Sequence, residues 1–231
     1  MRPRKFEVLL GLILILFVVH PFFFNIGPER VTFSLLLASV LICALYSAFE
    51  RRRNAAVAIA FALLVFVGRA LPAFATSATV YVTVESALML LMAIAAGAII
   101  VQVLNADEVT RDTICAAICA YFMMGLAWGV IYSILDFVRP GSLHSEAFVV
   151  KLRAPGAIAH FVLLDYVEFS FVTLTSLGYG DVVPVFPGIR AVALVEAAAG
   201  QFYIAVLIAR LVSIQTARHL ERRRDSARVK R

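Results

Sequence analysis

Long apolar runs separated by short polar stretches are the feature of this sequence that most limits its fold. The first run, residues 6–24, has 19 residues, which is enough for a helix to cross a hydrocarbon core of about 30 Å. Only 16% of the 231 residues are charged, whereas about a quarter of a soluble domain is. A chain this apolar cannot cover its surface with polar groups, so the sequence predicts an integral membrane protein.

Unbroken runs of this length are typical of helices rather than of the alternating strands of a membrane barrel. The first run follows a short basic start, as a signal peptide does. It offers no small-residue cleavage site at residues 21–24, and we interpret it as a span. The sequence therefore predicts an all-α membrane protein with six transmembrane helices. The predicted spans are residues 6–24, 31–49, 55–75, 87–104, 113–138 and 188–215.

The distribution of Lys and Arg predicts how these spans are oriented. Fifteen of the 21 lie at the N-terminus, in the loops at residues 50–54 and 105–112, and in the tail from Arg210 onward. Cytoplasmic segments carry such an excess, so both termini are expected on the inner side of a plasma membrane. The net charge of +6 then requires no nucleic acid, and the basic tail is expected to lie against anionic lipid headgroups.

A glycine motif, Thr-Leu-Thr-Ser-Leu-Gly-Tyr-Gly-Asp, lies at residues 173–181, between the fifth and sixth predicted spans. The apolar segment before it, residues 161–175, has 15 residues and is too short to cross a bilayer comfortably. It is expected to enter and leave the membrane on the outer side as a re-entrant helix. Non-helical backbone at membrane depth is tolerated only inside protein or beside a water-filled cavity. The pattern therefore predicts a pore loop.

The motif resembles the selectivity filter of the potassium channel family, Thr-Val-Gly-Tyr-Gly-Asp, with Ser176 and Leu177 in place of the threonine and valine. It is similar to that of the prokaryotic type with six spans and one pore loop, and the resemblance covers residues 113–215. In that family, rings of backbone carbonyls replace the water shell of K⁺. One pore loop cannot surround an ion, so the resemblance implies a homotetramer.

The resemblance also assigns the filter residues. The permeant K⁺ would be bound at Ser176, Leu177, Gly178 and Tyr179. Glycine tolerates the backbone angles that such a row of carbonyls requires, and the Ser176 hydroxyl would add the innermost ring of oxygens. The expected filter consists of Thr175, Ser176, Leu177, Gly178, Tyr179, Gly180 and Asp181.

Three residues of the sixth span are candidates for an inner-helix hinge or cavity: Glu196, Gly200 and Gln201. Potassium channels often carry a hinge glycine in this helix, but Gly200 would equally permit close helix packing. A carboxylate inside a span is costly and usually functional. Glu196 either faces the water-filled cavity or hydrogen-bonds behind the filter to a pore-helix hydroxyl. Its i, i+4 spacing shares a face with Gly200, which favours the cavity.

The sequence divides into a four-helix transmembrane module at residues 1–112, a pore domain at 113–215 and a basic cytoplasmic tail at 216–231. A voltage sensor needs arginines at every third position of its fourth helix, and the predicted fourth span has none. Arg69 stands alone in the third span and is expected to snorkel to the surface. The four-helix module is therefore predicted to lack a voltage-sensor arginine array.

Two alternatives remain open. One is a filter of the same type that also passes sodium, which would make a non-selective monovalent cation channel. The other is an intramembrane aspartyl protease, whose Gly-x-Gly-Asp signature matches residues 178–181. That enzyme needs two facing aspartates. The prolines after Asp181 cannot continue a helix, and Asp136 and Asp165 are expected near the outer surface, so no catalysis is expected.

Overall fold

The computed structural model describes residues 5–19, 29–49, 52–70, 77–144 and 163–229. Two short strands, β1 (Leu143–His144) and β2 (Val183–Pro184), pair antiparallel in this part of the chain. The other elements are helices: α1 (Lys5–Leu14), which continues into a π-helical turn (Ile15–Val19), α2 (Glu29–Ala48), α3 (Arg52–Ala70), α4 (Ala78–Leu104), α5 (Arg111–Val138), α6 (Leu163–Leu174) and α7 (Pro187–Val229).

Four of these helices contain segments long and apolar enough to cross a membrane: Arg53–Ala70, Ala78–Leu104, Arg111–Val138 and Pro187–Thr216. The apolar part of α2, Phe33–Ala48, is shorter than these segments. The prediction of a helical, multi-pass membrane protein is confirmed by these segments. The ends of the first and third predicted spans lie outside the described residues, as do residues 145–160, which follow the fifth predicted span, and the first two residues of the predicted re-entrant segment.

The predicted loop at residues 76–86 is wrong, because α4 already begins at Ala78. Its first turns contain Thr and Val, which have lower helix propensity than straight-chain residues. Tertiary contacts compensate for this. Tyr81 stacks on Phe137 of α5 with 4.2 Å between ring centroids, and Glu85 forms an ion pair with Arg69 of α3.

The predicted end of the last span at residue 215 agrees with the end of the apolar segment Pro187–Thr216, but the helix does not end there. The helix α7 continues without interruption for 43 residues, from Pro187 to Val229. Pro187 suits the first helical position, because its fixed φ matches the helix and the N–H that it lacks would have no partner there. The apolar part of α7 therefore passes directly into the basic segment as one helix.

Helix α1 packs against α5 and reaches α6. The backbone N–H of Phe6 donates to Asp112 Oδ1 at 3.4 Å, and Cys119 Sγ donates to the Phe6 carbonyl at 3.6 Å. In the π-helical turn, Phe17 contacts the rings of Phe122 and Phe171, with centroids 5.3 and 4.8 Å apart. The first helix therefore contacts the part of the chain that contains the glycine motif.

Candidate functional site

Two glycines of α5 make room for α6, the helix that precedes the glycine motif. A Cβ at Gly125 would stand 2.5 Å from Phe171 Cζ, and a Cβ at Gly129 would stand 2.6 Å from Val167 Cγ2. Glycines four residues apart lie on one helix face and are typical of close helix contacts in membranes. This signal was present in the sequence at residues 125–129 and went unrecognised.

The glycine motif follows α6 as an extended stretch in which the sign of φ alternates. Ser176, Gly178 and Gly180 have φ of 57°, 65° and 77°, whereas Leu177 and Tyr179 do not have positive φ. In a regular strand, successive residues point their side chains and carbonyls to opposite sides. Reversing the hand of every second residue turns alternate peptide planes over, so that successive carbonyls can face the same side. This backbone can present a row of oxygen ligands.

Ser176 adopts a conformation that is rare for a residue with a side chain. A non-glycine residue at positive φ costs on the order of 1–3 kcal/mol and persists only where its surroundings hold it. The Ser176 backbone N–H donates to the Thr173 carbonyl at 2.9 Å, and the Leu177 N–H donates to the Val172 carbonyl at 2.9 Å. From α7, Gln201 Nε2 donates to Ser176 Oγ at 3.2 Å. Gln201, which was expected in a cavity, is exposed and contacts the motif at Ser176.

On a single chain, the side chains of the motif are exposed from Thr175 to Asp181. Leu177 is 55% exposed and Tyr179 is 68% exposed. Apolar groups on α7 are exposed as well, including Leu194 at 73% and Phe202 at 70%. Large apolar side chains exposed in this number are typical of a surface that contacts lipid or another protein chain.

Glu196 does not face open space, and the prediction that it lines a cavity is wrong. Its side chain is fully buried where α5, α6 and α7 meet. Tyr132 OH of α5 donates to Glu196 Oε2 at 2.5 Å, and Ser170 Oγ of α6 lies 2.5 Å from Oε1. The i, i+4 relation to Gly200 holds, but the shared face points toward α6. The alternative placement, a hydrogen bond to a pore-helix hydroxyl, describes the geometry.

Gly200 lies directly against the end of α6. A Cβ at this position would collide with the carbonyl oxygen of Leu174 and would stand 2.9 Å from Leu174 Cδ1. The same carbonyl accepts a hydrogen bond from Tyr121 OH of α5 at 3.2 Å. Helix α7 continues through Gly200 without interruption. Of the two readings of this glycine, close packing accounts for its position.

The C-terminal end of the motif is held near the turn that follows α5. Strand β2, just after the motif, pairs with β1, just after α5. Asp136 stabilises this turn from the last part of α5. Its Oδ1 accepts from the Ser142 backbone N–H at 3.0 Å, and its Oδ2 accepts from Tyr166 OH of α6 at 2.8 Å. One buried carboxylate therefore connects α5, α6 and the β1 turn.

These contacts give the protease alternative no support. Asp181 is exposed, and its Oδ1 accepts from the backbone N–H of Val182 at 3.0 Å. Asp136 is only 4% exposed and uses both oxygens to hold Tyr166 and Ser142. The two aspartates thus serve separate structural partners, whereas an aspartyl protease needs two carboxyls that share a proton.

Arg69 does not snorkel, and that prediction is wrong. Its guanidinium forms an ion pair with Glu85 of α4, and the two side chains are 12% and 2% exposed. A charge at membrane depth is stabilised by an opposite charge where water is absent. The pair was hidden in the sequence because Glu85 fell in a segment predicted to be a loop.

A family model described as an ion channel matches residues 88–216. The match begins within α4 and includes α5, α6, the glycine motif and the part of α7 that is long and apolar enough to span a membrane. No curated protein and no solved structure matches the chain.

Proposed function

Because the chain belongs to the ion channel family, in its potassium-channel type, we propose that it forms a homotetrameric pore that conducts K⁺ passively. The observation that carries this proposal is the alternating backbone at residues 176–180. Carbonyls of Ser176, Leu177, Gly178 and Tyr179 would replace the water shell of the ion without a fixed negative charge strong enough to trap it. K⁺ is the permeant ion here rather than a resident cofactor.

The hydroxyl of Ser176 would form the innermost ring of oxygens. Its contact with Gln201 supports this role, because the amide N–H₂ fixes the hydroxyl while leaving a lone pair for the ion. The remaining filter residues, Thr175, Gly180 and Asp181, would frame the row of carbonyls at its two ends.

Exposed apolar side chains support a tetramer. Four copies around one axis would bring the four extended stretches together and cover side chains such as Leu177, Leu194 and Phe202, which are 55%, 73% and 70% exposed on one chain. Closed cyclic symmetry is the usual arrangement of identical subunits that enclose a central path.

The proposed topology has six spans, with α6 entering and leaving from the outer side of a plasma membrane. Residues 1–112 would form the four-helix module, 113–215 the pore domain, and both termini would be cytoplasmic. Since α7 extends to Val229, it would carry the basic residues of the tail out of the bilayer to anionic lipid headgroups.

The test is K⁺ flux into liposomes that contain the purified protein. We expect flux that Ba²⁺ blocks, from a particle whose mass in solution is that of four chains. If a confirmed tetramer shows no barium-sensitive K⁺ flux, the proposal is contradicted.

Selectivity is measured separately, as the reversal potential in opposing potassium and sodium gradients. We expect a potential close to that for potassium alone. Ser176 and Leu177 are the positions that depart from the potassium channel pattern, so they are where selectivity would fail. Equal permeability would replace the proposal with a non-selective monovalent cation channel.

A further inference from the structure

The hydrogen bonds around Glu196 need more protons than the neighbouring hydroxyl groups carry. The count balances only if Glu196 itself holds a proton. Tyr132, Ser170 and Glu196 are each 0% exposed, so water does not enter the count. Three oxygen–oxygen contacts link them: Tyr132 OH to Glu196 Oε2 at 2.5 Å, Ser170 Oγ to Glu196 Oε1 at 2.5 Å, and Ser170 Oγ to the Gly125 carbonyl at 2.8 Å. The Tyr132–Glu196 and Ser170–Gly125 distances are within the range of an O–H···O hydrogen bond, and the Ser170–Glu196 contact is shorter than a normal one.

Each hydrogen bond needs one proton. A tyrosine or serine hydroxyl has one proton to donate, and a carbonyl or a carboxylate has none. If Glu196 were ionised, Ser170 would have to donate to both Glu196 and the Gly125 carbonyl with a single proton. Two oxygens would then face each other with only lone pairs between them, at 2.5 or 2.8 Å. A neutral carboxyl group supplies the third proton, and the contacts become a chain from Glu196 to Ser170 to Gly125.

Among the residues that the structure describes, no positive charge contacts Glu196 to favour its ionised form. On α5, the titratable groups that face Glu196 are Tyr132 and Tyr121, both acids that gain nothing from a neighbouring negative charge. On α6, Ser170 is the polar side chain in contact. On α7, Arg190 lies six positions away, where it donates to the Pro184 carbonyl at 2.8 Å. An unpaired carboxylate buried at this depth is costly, whereas a neutral acid with all its hydrogen bonds is not.

We propose that Glu196 is a positioning residue that works in its neutral form, holding α6 between α5 and α7 so that the extended stretch after α6 keeps its place. On deprotonation, the proton leaves for solvent and the carboxylate remains. The Ser170 hydroxyl then turns from Gly125 to the carboxylate, and the link between α6 and α5 at Gly125 is lost. This role rests on the proposed function. If the chain conducts K⁺, the flux should fall at alkaline pH, where Glu196 loses its proton and the link between α6 and α5 is lost.

Glu196→Gln is a matched variant for the neutral form. Its amide nitrogen can donate to Ser170, and its carbonyl can accept from Tyr132, so the same three contacts form without a titratable group. We expect Glu196→Gln to conduct like the wild type at neutral pH and to keep that flux at alkaline pH. At alkaline pH the K⁺ flux of the wild type should fall about tenfold, the size of effect expected when one buried hydrogen bond is lost. Ser170→Ala, which breaks the chain of contacts, should lower flux at both pH values.

A readout that does not depend on conduction is the infrared spectrum of the purified tetramer. The wild type at neutral pH should show the C=O stretching band of a buried protonated carboxyl, and this band should be missing from Glu196→Gln. If the band persists in Glu196→Gln or is absent from the wild type, the inference is wrong, even if the protein conducts K⁺. If the band is present as expected but neither protein conducts K⁺, the neutral acid stands and the proposed function fails. Equal alkaline loss of flux in the wild type and Glu196→Gln overturns the positioning role.

Discussion

The carbonyl oxygen of Leu174, the last residue of α6, occupies the space where a side chain at Gly200 would begin. This contact joins the end of the short helix to the middle of α7 and leaves the Leu174 carbonyl in reach of Tyr121 OH at 3.2 Å. The start of the extended stretch is therefore placed by a backbone-to-backbone approach that requires glycine.

Gly200→Ala should displace α6 and reduce both stability and K⁺ flux. The added Cβ meets backbone rather than a flexible side chain, so the structure cannot accommodate it cheaply, and we expect a cost of about 1–3 kcal/mol. The measurements are thermal unfolding of the purified protein and flux in liposomes. Gly97→Ala is the matched control, since a Cβ at Gly97 meets nothing within 4 Å. A Gly200→Ala protein as stable as the control, but with altered opening, would favour a hinge instead.

The Gly125–Phe171 contact predicts strong coupling between two substitutions. Gly125→Ala should destabilise the protein by about 1–3 kcal/mol, because its Cβ meets the Phe171 ring at 2.5 to 2.9 Å. Phe171→Leu removes that ring and should make Gly125→Ala much less damaging. A double-mutant cycle in thermal unfolding measures the coupling, which we expect at about 1 kcal/mol or more. Additive effects of the two changes would show that α6 is not seated on this glycine.

We expect that neutralising one residue of the Arg69–Glu85 pair destabilises the protein more than replacing both. Glu85→Gln leaves a buried guanidinium without its counter-charge, and Arg69→Gln leaves a buried carboxylate; each should cost about 3–5 kcal/mol. The double variant with apolar residues, Arg69→Met with Glu85→Leu, should recover most of that loss. Unfolding midpoints in detergent provide the comparison. Single variants with wild-type midpoints would mean that water reaches the pair.

Two substitutions at Ser176 separate its hydroxyl from its backbone conformation. Ser176→Gly keeps the positive φ without strain and removes the hydroxyl, whereas Ser176→Ala removes the hydroxyl and keeps the strain. If the hydroxyl binds K⁺, both variants should shift the reversal potential toward sodium by a similar amount. If the backbone alone matters, Ser176→Gly should match the wild type. Gln201→Leu, which removes the donor to Ser176 Oγ, should shift the reversal potential toward sodium by less than either Ser176 variant.

Much of the fold was readable from local patterns. Apolar runs predicted helices at most of their observed positions, because helix formation in a membrane depends on the length and hydropathy of one segment. The errors came where contacts across the fold outweigh local preference. The first turns of α4 contain Thr and Val, which have lower helix propensity, and they are helical because Tyr81 and Glu85 find partners on α5 and α3.

The candidate site shows the same division. The spacing of Gly178 and Gly180 around Tyr179 predicted a special backbone, and the alternating φ agrees with it, because the need for positive φ is a property of each residue. The seat of α6 on Gly125 and Gly129 was also written in the sequence as a known spacing. Tyr132 and Ser170, however, carry no local signal that joins them to a residue of α7.

The sequence by itself determined that this chain is a helical membrane protein of the ion channel family, with a glycine motif between two of its helices. Only the tertiary structure decided what the side chains of α7 touch. Helical spacing puts Glu196 and Gly200 on one face, but it does not say which neighbour that face meets. The approach of α7 to Leu174 turns the face toward α6, and for that reason Glu196 is buried against Ser170 and Tyr132 rather than exposed to a cavity.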